Sequence, residues 1–115
     1  MTYDYNGAWS MQTGHLAPLY EDPAAEGLLP EDYYIDFGVS LWRNDVPPSK
    51  LVMGLASYRR GVIGTSQEYG FGSDGVGGSP PWYENGLLSY WGLFANYVPN
   101  AAYTRHWNPV SKVPY

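Results

Sequence analysis

The run Leu-Val-Met-Gly-Leu-Ala-Ser at residues 51–57 constrains the fold more than any other stretch, because it is apolar without alternation. A strand that packs one face and wets the other alternates, so this run asks for cover on both faces, as in a parallel sheet. Parallel strands need a crossover, and the preceding residues offer a helical one. Across residues 32–42, Ile35, Val39 and Trp42 fall at i, i+4 and i+7, with Tyr34, Phe37 and Leu41 on adjoining faces. Asp32 is placed to cap this helix, and Pro47-Pro48 stops it before the next element. Gly38 inside it costs about 1 kcal/mol relative to Ala. Residues 1–5 read as a second short buried strand that ends at the turn pair Asn6-Gly7. Strand, helix and strand make one β-α-β unit, so the expected class is α/β.

Two regions depart from that regularity. Residues 7–30 have no sustained periodicity and are punctuated by Gly14, Pro18, Pro23, Gly27 and Pro30. A loop of that length inside a compact domain is often functional. After Gly61 the character changes, and residues 64–81 are dominated by Gly, Ser and Pro. Residues 86–96 offer a second amphipathic helix through Leu87, Tyr90, Trp91 and Phe94. Residues 102–107 and 112–115 read as short strands around a turn at Asn108-Pro109. Irregular strands, one helix, then strands suggest a small α+β unit.

Composition excludes several functions. Six Lys and Arg against eleven Asp and Glu leave a net charge of −5 and no basic stripe to neutralise phosphates, so nucleic acid is not an expected partner. Cysteine is absent, which removes disulfides, thiolate catalysis and Cys-based zinc. No apolar run approaches the roughly 18 residues that span a bilayer, and no membrane partner is expected. Aromatic residues make up 17% of the chain, with 12 Tyr, 5 Trp and 3 Phe. They suit either a ring-rich core or a carbohydrate cleft in which flat faces stack on pyranose C–H groups.

Met1-Thr2-Tyr3-Asp4-Tyr5 resembles the sixth-strand motif of family 18 glycoside hydrolases, the chitinases and their lectin-like relatives. Gly54-Leu55-Ala56-Ser57-Tyr58-Arg59-Arg60-Gly61 agrees with it, as does Tyr83-Glu84-Asn85-Gly86 leading to Val113-Pro114-Tyr115, in order and approximate spacing. The resemblance covers essentially the whole chain and implies that the chain is a piece. It implies a partial (β/α)8 TIM barrel at residues 1–61, holding strand six, a helix and strand seven. An incomplete α+β insertion domain would follow at residues 62–115. It also puts the long loop after the first strand on the face where barrel enzymes build their sites.

In such enzymes hydrolysis retains configuration through the substrate's own N-acetyl group, without a protein carboxylate as nucleophile. By motif position, Tyr3 would hold the acetamide oxygen in line, and Asp4 would face the developing positive charge; these are the two candidate catalytic residues. A carboxylate about 4 Å from a unit cation gains roughly 4 kcal/mol at an effective dielectric near 20, and about 1.4 kcal/mol is tenfold in rate. The resemblance makes Met1, Trp9, Tyr58, Arg60 and Glu84 substrate-binding: Met1 beneath the sugar, Trp9 as a platform, Glu84 on the cleft wall. The family pattern Tyr-Gly-Arg is broken by Arg59, which is expected to remodel the cleft rim.

Other signals are set aside. The run Gly70-Phe71-Gly72-Ser73-Asp74-Gly75 satisfies G-x-G-x-x-G, but no apolar strand precedes it and no helix can start after it. His15 and His106 belong to no ligand spacing, so neither metal nor cofactor is expected. The family's proton donor closes an Asp-x-x-Asp-x-Asp-x-Glu run that is not in this chain. Leaving-group protonation contributes about 10²–10⁴-fold, so the stretch alone is expected to be inactive and poorly soluble. The expected partners are chitin or chitooligosaccharide and the rest of the parent polypeptide, and the resemblance implies an extracellular location. Two other readings stay open: a chitinase-like lectin without the acid, and a non-enzymatic interaction domain whose aromatics form an ordinary core.

Overall fold

The computed structural model describes residues 1–7, 9–10, 12–65, 67–70, 73–74 and 86–115, with the backbone alone at 73–74. In chain order the elements are α1 (Ile35–Arg43), β1 (Tyr58–Arg60), β2 (Val62–Ile63), β3 (Ser73–Asp74), β4 (Leu87–Ser89), α2 (Tyr90–Asn96), β5 (Trp107–Asn108) and β6 (Val113–Pro114). The strands form antiparallel pairs β1–β4, β2–β3 and β5–β6.

Helix α1 forms where the periodicity places it, but Asp32 does not cap it. Tyr34 is the capping residue and gives no side-chain hydrogen bond. The first free amides are taken instead by a distant loop: Ile35 N donates to the Pro18 carbonyl (2.9 Å) and Asp36 N to the Leu19 carbonyl (3.1 Å). Tertiary carbonyls do the work of a local cap. Arg43 in the last turn complements the helix dipole. The apolar stripe is covered at its start, where Ile35 is buried, and open at its end, where Trp42 is 61% exposed.

The two expected parallel strands are not ladders. Among the described residues, 1–5 and 51–57 meet without strand pairing. The Thr2 hydroxyl donates to the Gly54 carbonyl (3.3 Å), and the Tyr3 ring lies against Gly54. The physical reason is missing cover: Val52 is 93% exposed and Met1 97%, so no described layer packs on the faces that the apolar run presents. Regular pairing begins one residue later, where β1 sets Tyr58 opposite Ser89, Arg59 opposite Leu88 and Arg60 opposite Leu87.

The second helix is also shorter than its periodicity suggests. Residues 87–89 spend their backbone groups on β1, and Ser89 then accepts from Gly92 N (3.0 Å) to start α2. Within the Gly-, Ser- and Pro-rich stretch the backbone of residues 73–74 pairs with Val62 and Ile63. The expected strand at 102–107 contracts to Trp107–Asn108, which pairs with Val113–Pro114. Asn108 Oδ1 accepts from the amides of Val110 and Ser111 (2.9 Å each) and folds the turn between them. Among the described residues the buried apolar side chains are Ile35, Tyr69 and Leu88, and Asn6, Thr13, His15, Asn108 and Ser111 are buried as well. Much of this interior is therefore polar.

Candidate functional site

Asp4 is the meeting point of the two motif segments. Its Oδ2 accepts from the Tyr58 hydroxyl (2.6 Å), and its Oδ1 from Arg60 Nε (2.9 Å). Strand alternation makes this possible, because Tyr58 and Arg60 project from one face of β1 and Arg59 from the other. Asp4 itself has φ of 60°, a left-handed conformation that few non-glycine residues adopt, aspartate among them.

The Arg60 guanidinium also lies 4.7 Å from the centre of the Trp9 ring, and the Tyr3 and Tyr58 rings meet edge to face at 6.2 Å. Gly7 permits this stack: a Cβ there would stand 2.6 Å from the Trp9 ring and 2.7 Å from Arg60 Cδ. Arg60 is largely covered, with 12% of its side chain exposed, against 32% for Asp4. Trp9 keeps 56% of its surface open. A carboxylate, a tyrosine pair and a half-exposed indole thus meet in one cluster.

Burial raises the Asp4 pKa, but the hydrogen bonds from Arg60 and Tyr58 and the charge of Arg60 outweigh it, and the carboxyl is held below its ordinary value. Burial, with the Asp4 hydrogen bond and charge, pushes the Tyr58 phenol up to about 12. At neutral pH the pair is therefore phenol and carboxylate. The arrangement can present a fixed negative charge to a cation that forms beside it.

The structure brings Tyr3, Asp4, Trp9, Tyr58 and Arg60 together. Met1 begins the same segment but stands almost fully exposed. Glu84, with Tyr83 and Asn85 of its motif, lies outside the described residues. So do Phe71, Gly72 and Gly75 of the glycine-rich run. Arg59 projects from the opposite face of β1, and its guanidinium lies 5.1 Å from the Tyr97 ring at the end of α2. The aromatics do not make an ordinary core either, since Trp9, Trp42, Trp91 and Trp107 are 47–74% exposed.

A second cluster was not singled out from the sequence. His15 Nε2 lies 2.6 Å from Glu68 Oε1. Asn108 Nδ2 donates to both Glu68 Oε1 (2.8 Å) and Asp22 Oδ2 (2.6 Å), and the Tyr69 hydroxyl donates to the same Asp22 oxygen (2.9 Å). Burial holds the His15 imidazole below its ordinary value against the opposing pull of Glu68 and Asp22, so it is neutral at pH 7 with its Nε2 set against the Glu68 carboxylate. The Asn108 amide is fixed by the two backbone amides on its oxygen, which leaves only N–H groups to face the carboxylates. That is a closed hydrogen-bond clasp, unsuited to a cation. Among the described residues no group of metal-ligating side chains forms, and no helix is long and apolar enough to cross a membrane.

Comparison with known proteins agrees with the family resemblance. The profile of glycosyl hydrolases family 18 matches residues 1–115. The chain is 38% identical to chitinase A1 of Niallia circulans, over 100% of this chain and 17% of that protein. It is 32% identical to chitotriosidase-1 of Mus musculus, over 100% of this chain and 24% of that protein. A crystal structure of Ostrinia furnacalis Group IV chitinase in complex with allosamidin superposes with a TM-score of 0.77 at 33% identity, over 100% of this chain and 32% of that one. The chain thus spans about a fifth of the length of the two relatives.

Proposed function

This chain belongs to family 18 of the glycosyl hydrolases, and on that premise we propose that its parent polypeptide hydrolyses β-1,4-linked N-acetylglucosamine polymers with retention of configuration. Residues 1–61 would be part of a TIM-barrel catalytic domain, and residues 62–115 an incomplete insertion domain. The parent acts outside the cell in this reading. Chitin or chitooligosaccharide is its substrate, and the open aromatic face of Trp9 suits a pyranose ring.

The observation that carries the reading is the double acceptance by Asp4 from residues 54 and 56 positions away. A half-covered carboxylate kept ionised suits the charge that develops when the acetamide oxygen attacks the anomeric carbon. Tyr3 would steady that oxygen. Tyr58 and Arg60 serve first by holding Asp4, and Met1 and Glu84 complete the substrate-binding set. The proton donor lies elsewhere in the parent, so residues 1–115 alone should not turn over substrate.

The test is Tyr3→Phe and Asp4→Asn in the full-length polypeptide, with hydrolysis and binding of chitooligosaccharides measured separately. Each change is expected to lower kcat by about 10²–10³-fold, the loss seen when a stabilising group of this kind is removed, and to leave binding within a few-fold. Turnover unchanged in both variants would rule the reading out.

A further inference from the structure

The backbone beneath Asp4 is pinned from the interior. A left-handed non-glycine residue persists only where its surroundings over-determine it. Residues 14–16 provide that hold. Tyr5 N donates to the Leu16 carbonyl (3.1 Å), and the Asn6 side-chain amide donates to the His15 carbonyl (3.1 Å). Gly14 makes room for Asn6, since a Cβ there would stand 2.6 Å from Asn6 Cγ.

Residues 14–16 are held in turn by backbone bonds on either side, from Thr13 N to the Gly70 carbonyl (2.8 Å) and from Leu19 N to the Ser111 carbonyl (2.8 Å), and from within by the side chain of His15. His15 is 9% exposed, and its imidazole reaches Glu68 at 2.6 Å. Glu68 and Asp22 share the amide of Asn108, in the β5–β6 hairpin. The His15–Glu68 contact is therefore a side-chain link on the path from Asp4 to the hairpin.

Resting on the functional reading above, we propose that His15 is a positioning residue for the Asp4 centre: its imidazole N–H anchors the turn beneath Asp4 to Glu68 and the β5–β6 hairpin, and so aims the Asp4 carboxylate. It touches no substrate. What the position needs is an N–H donor at that reach. Glutamine supplies one and leucine does not.

The test uses the full-length polypeptide with His15→Leu, His15→Gln and Glu68→Gln. The first readout is the NMR signal of the Arg60 Nε–H group, assigned by its loss in Arg60→Lys, because that group donates to Asp4. The second is chitooligosaccharide turnover. His15→Leu is expected to shift the Arg60 signal and to lower kcat about tenfold with KM within twofold, as misplacement of a reacting group does. His15→Gln should recover most of both. Glu68→Gln preserves side-chain shape and should shift the signal in the same direction by less, which decides the matter if His15→Leu does not fold. An Arg60 signal unchanged in a folded His15→Leu or in Glu68→Gln, or no recovery in His15→Gln, would overturn the proposal. Absence of turnover by the unaltered polypeptide would sink the functional reading alone, with the Arg60 signal still deciding the role of His15.

Discussion

The Asp4 centre and the Asp22–Glu68 clasp use the same chemistry for opposite ends. Each is a carboxylate held by donors from distant segments. At Asp4 the donors include a cation, and a third of the side chain remains open beside an exposed indole. At Asp22 and Glu68 the donors are neutral, and Asn108 and Ser111 beside them are 5% and 1% exposed. An open, charge-assisted site keeps a charge available for a ligand. A closed, neutral one uses its acceptors to join loops. The difference lies in the charge of the donors and in the indole that stands exposed beside Asp4.

The sharpest way to break that contrast is to damage each cluster in turn. Asp4→Ala should lower turnover of the full-length polypeptide by about 10²–10³-fold. Leaving a charged group without its partner should also cost about 2 kcal/mol of stability, as read from denaturant midpoints. Asn108→Leu should show the reverse balance. It strips a shared donor from two carboxylates and should cost about 3 kcal/mol, with a much smaller effect on turnover. Equal effects on turnover from both changes would erase the distinction.

A smaller effect is expected at Gly7. Gly7→Ala places a Cβ against the Trp9 ring and Arg60, and overpacking of this kind costs about 1 kcal/mol or more. Because Trp9 is open to solvent, it should yield first. KM should rise several-fold while kcat changes little, and a KM equal to that of the unaltered protein would mean that the indole takes no part in binding.

The two clusters should also part company with pH. His15 is depressed below 6.5 in the fold, so its contribution is complete above 6.5 and is lost as pH falls below that value, while the unfolded chain takes up the proton. Asp4 and Asp22 are both lowered from 3.8, so their contributions hold above 3.8 and are lost as pH falls through their folded values. Tyr58, raised to about 12, contributes fully below 10 and loses that contribution between 10 and about 12. Thermal melts across this range should show a first acid decline below 6.5 that disappears in His15→Gln. A decline that persists there would assign it to another group.

How much of this was legible depended on distance along the chain. Tyr3, Asp4, Tyr58 and Arg60 were legible because two short motifs carry them, and the periodicity of Ile35, Val39 and Trp42 correctly gave a helix. The cap was not legible, since the carbonyls of Pro18 and Leu19 reach α1 across a loop and leave no local pattern. Nor were residues 87–89. Their apolar spacing runs on into α2, and only the pairing with β1 turns them into a strand. The clasp joins residues 40 to 86 positions apart, and no spacing rule reaches that far. Residues 51–57 were read as a strand covered on both faces. The ladder did not follow because a strand is made by its neighbours as much as by its own sequence.

The most direct test is a carboxyl-carbon NMR titration of Asp4 in the full-length polypeptide, with and without Arg60→Gln. A midpoint below 3.8 that rises in the variant is the expected result, because Arg60 and Tyr58 together hold the charge in place. A midpoint at or above 3.8, or one indifferent to the loss of Arg60, would contradict the joining of the two motifs into one centre.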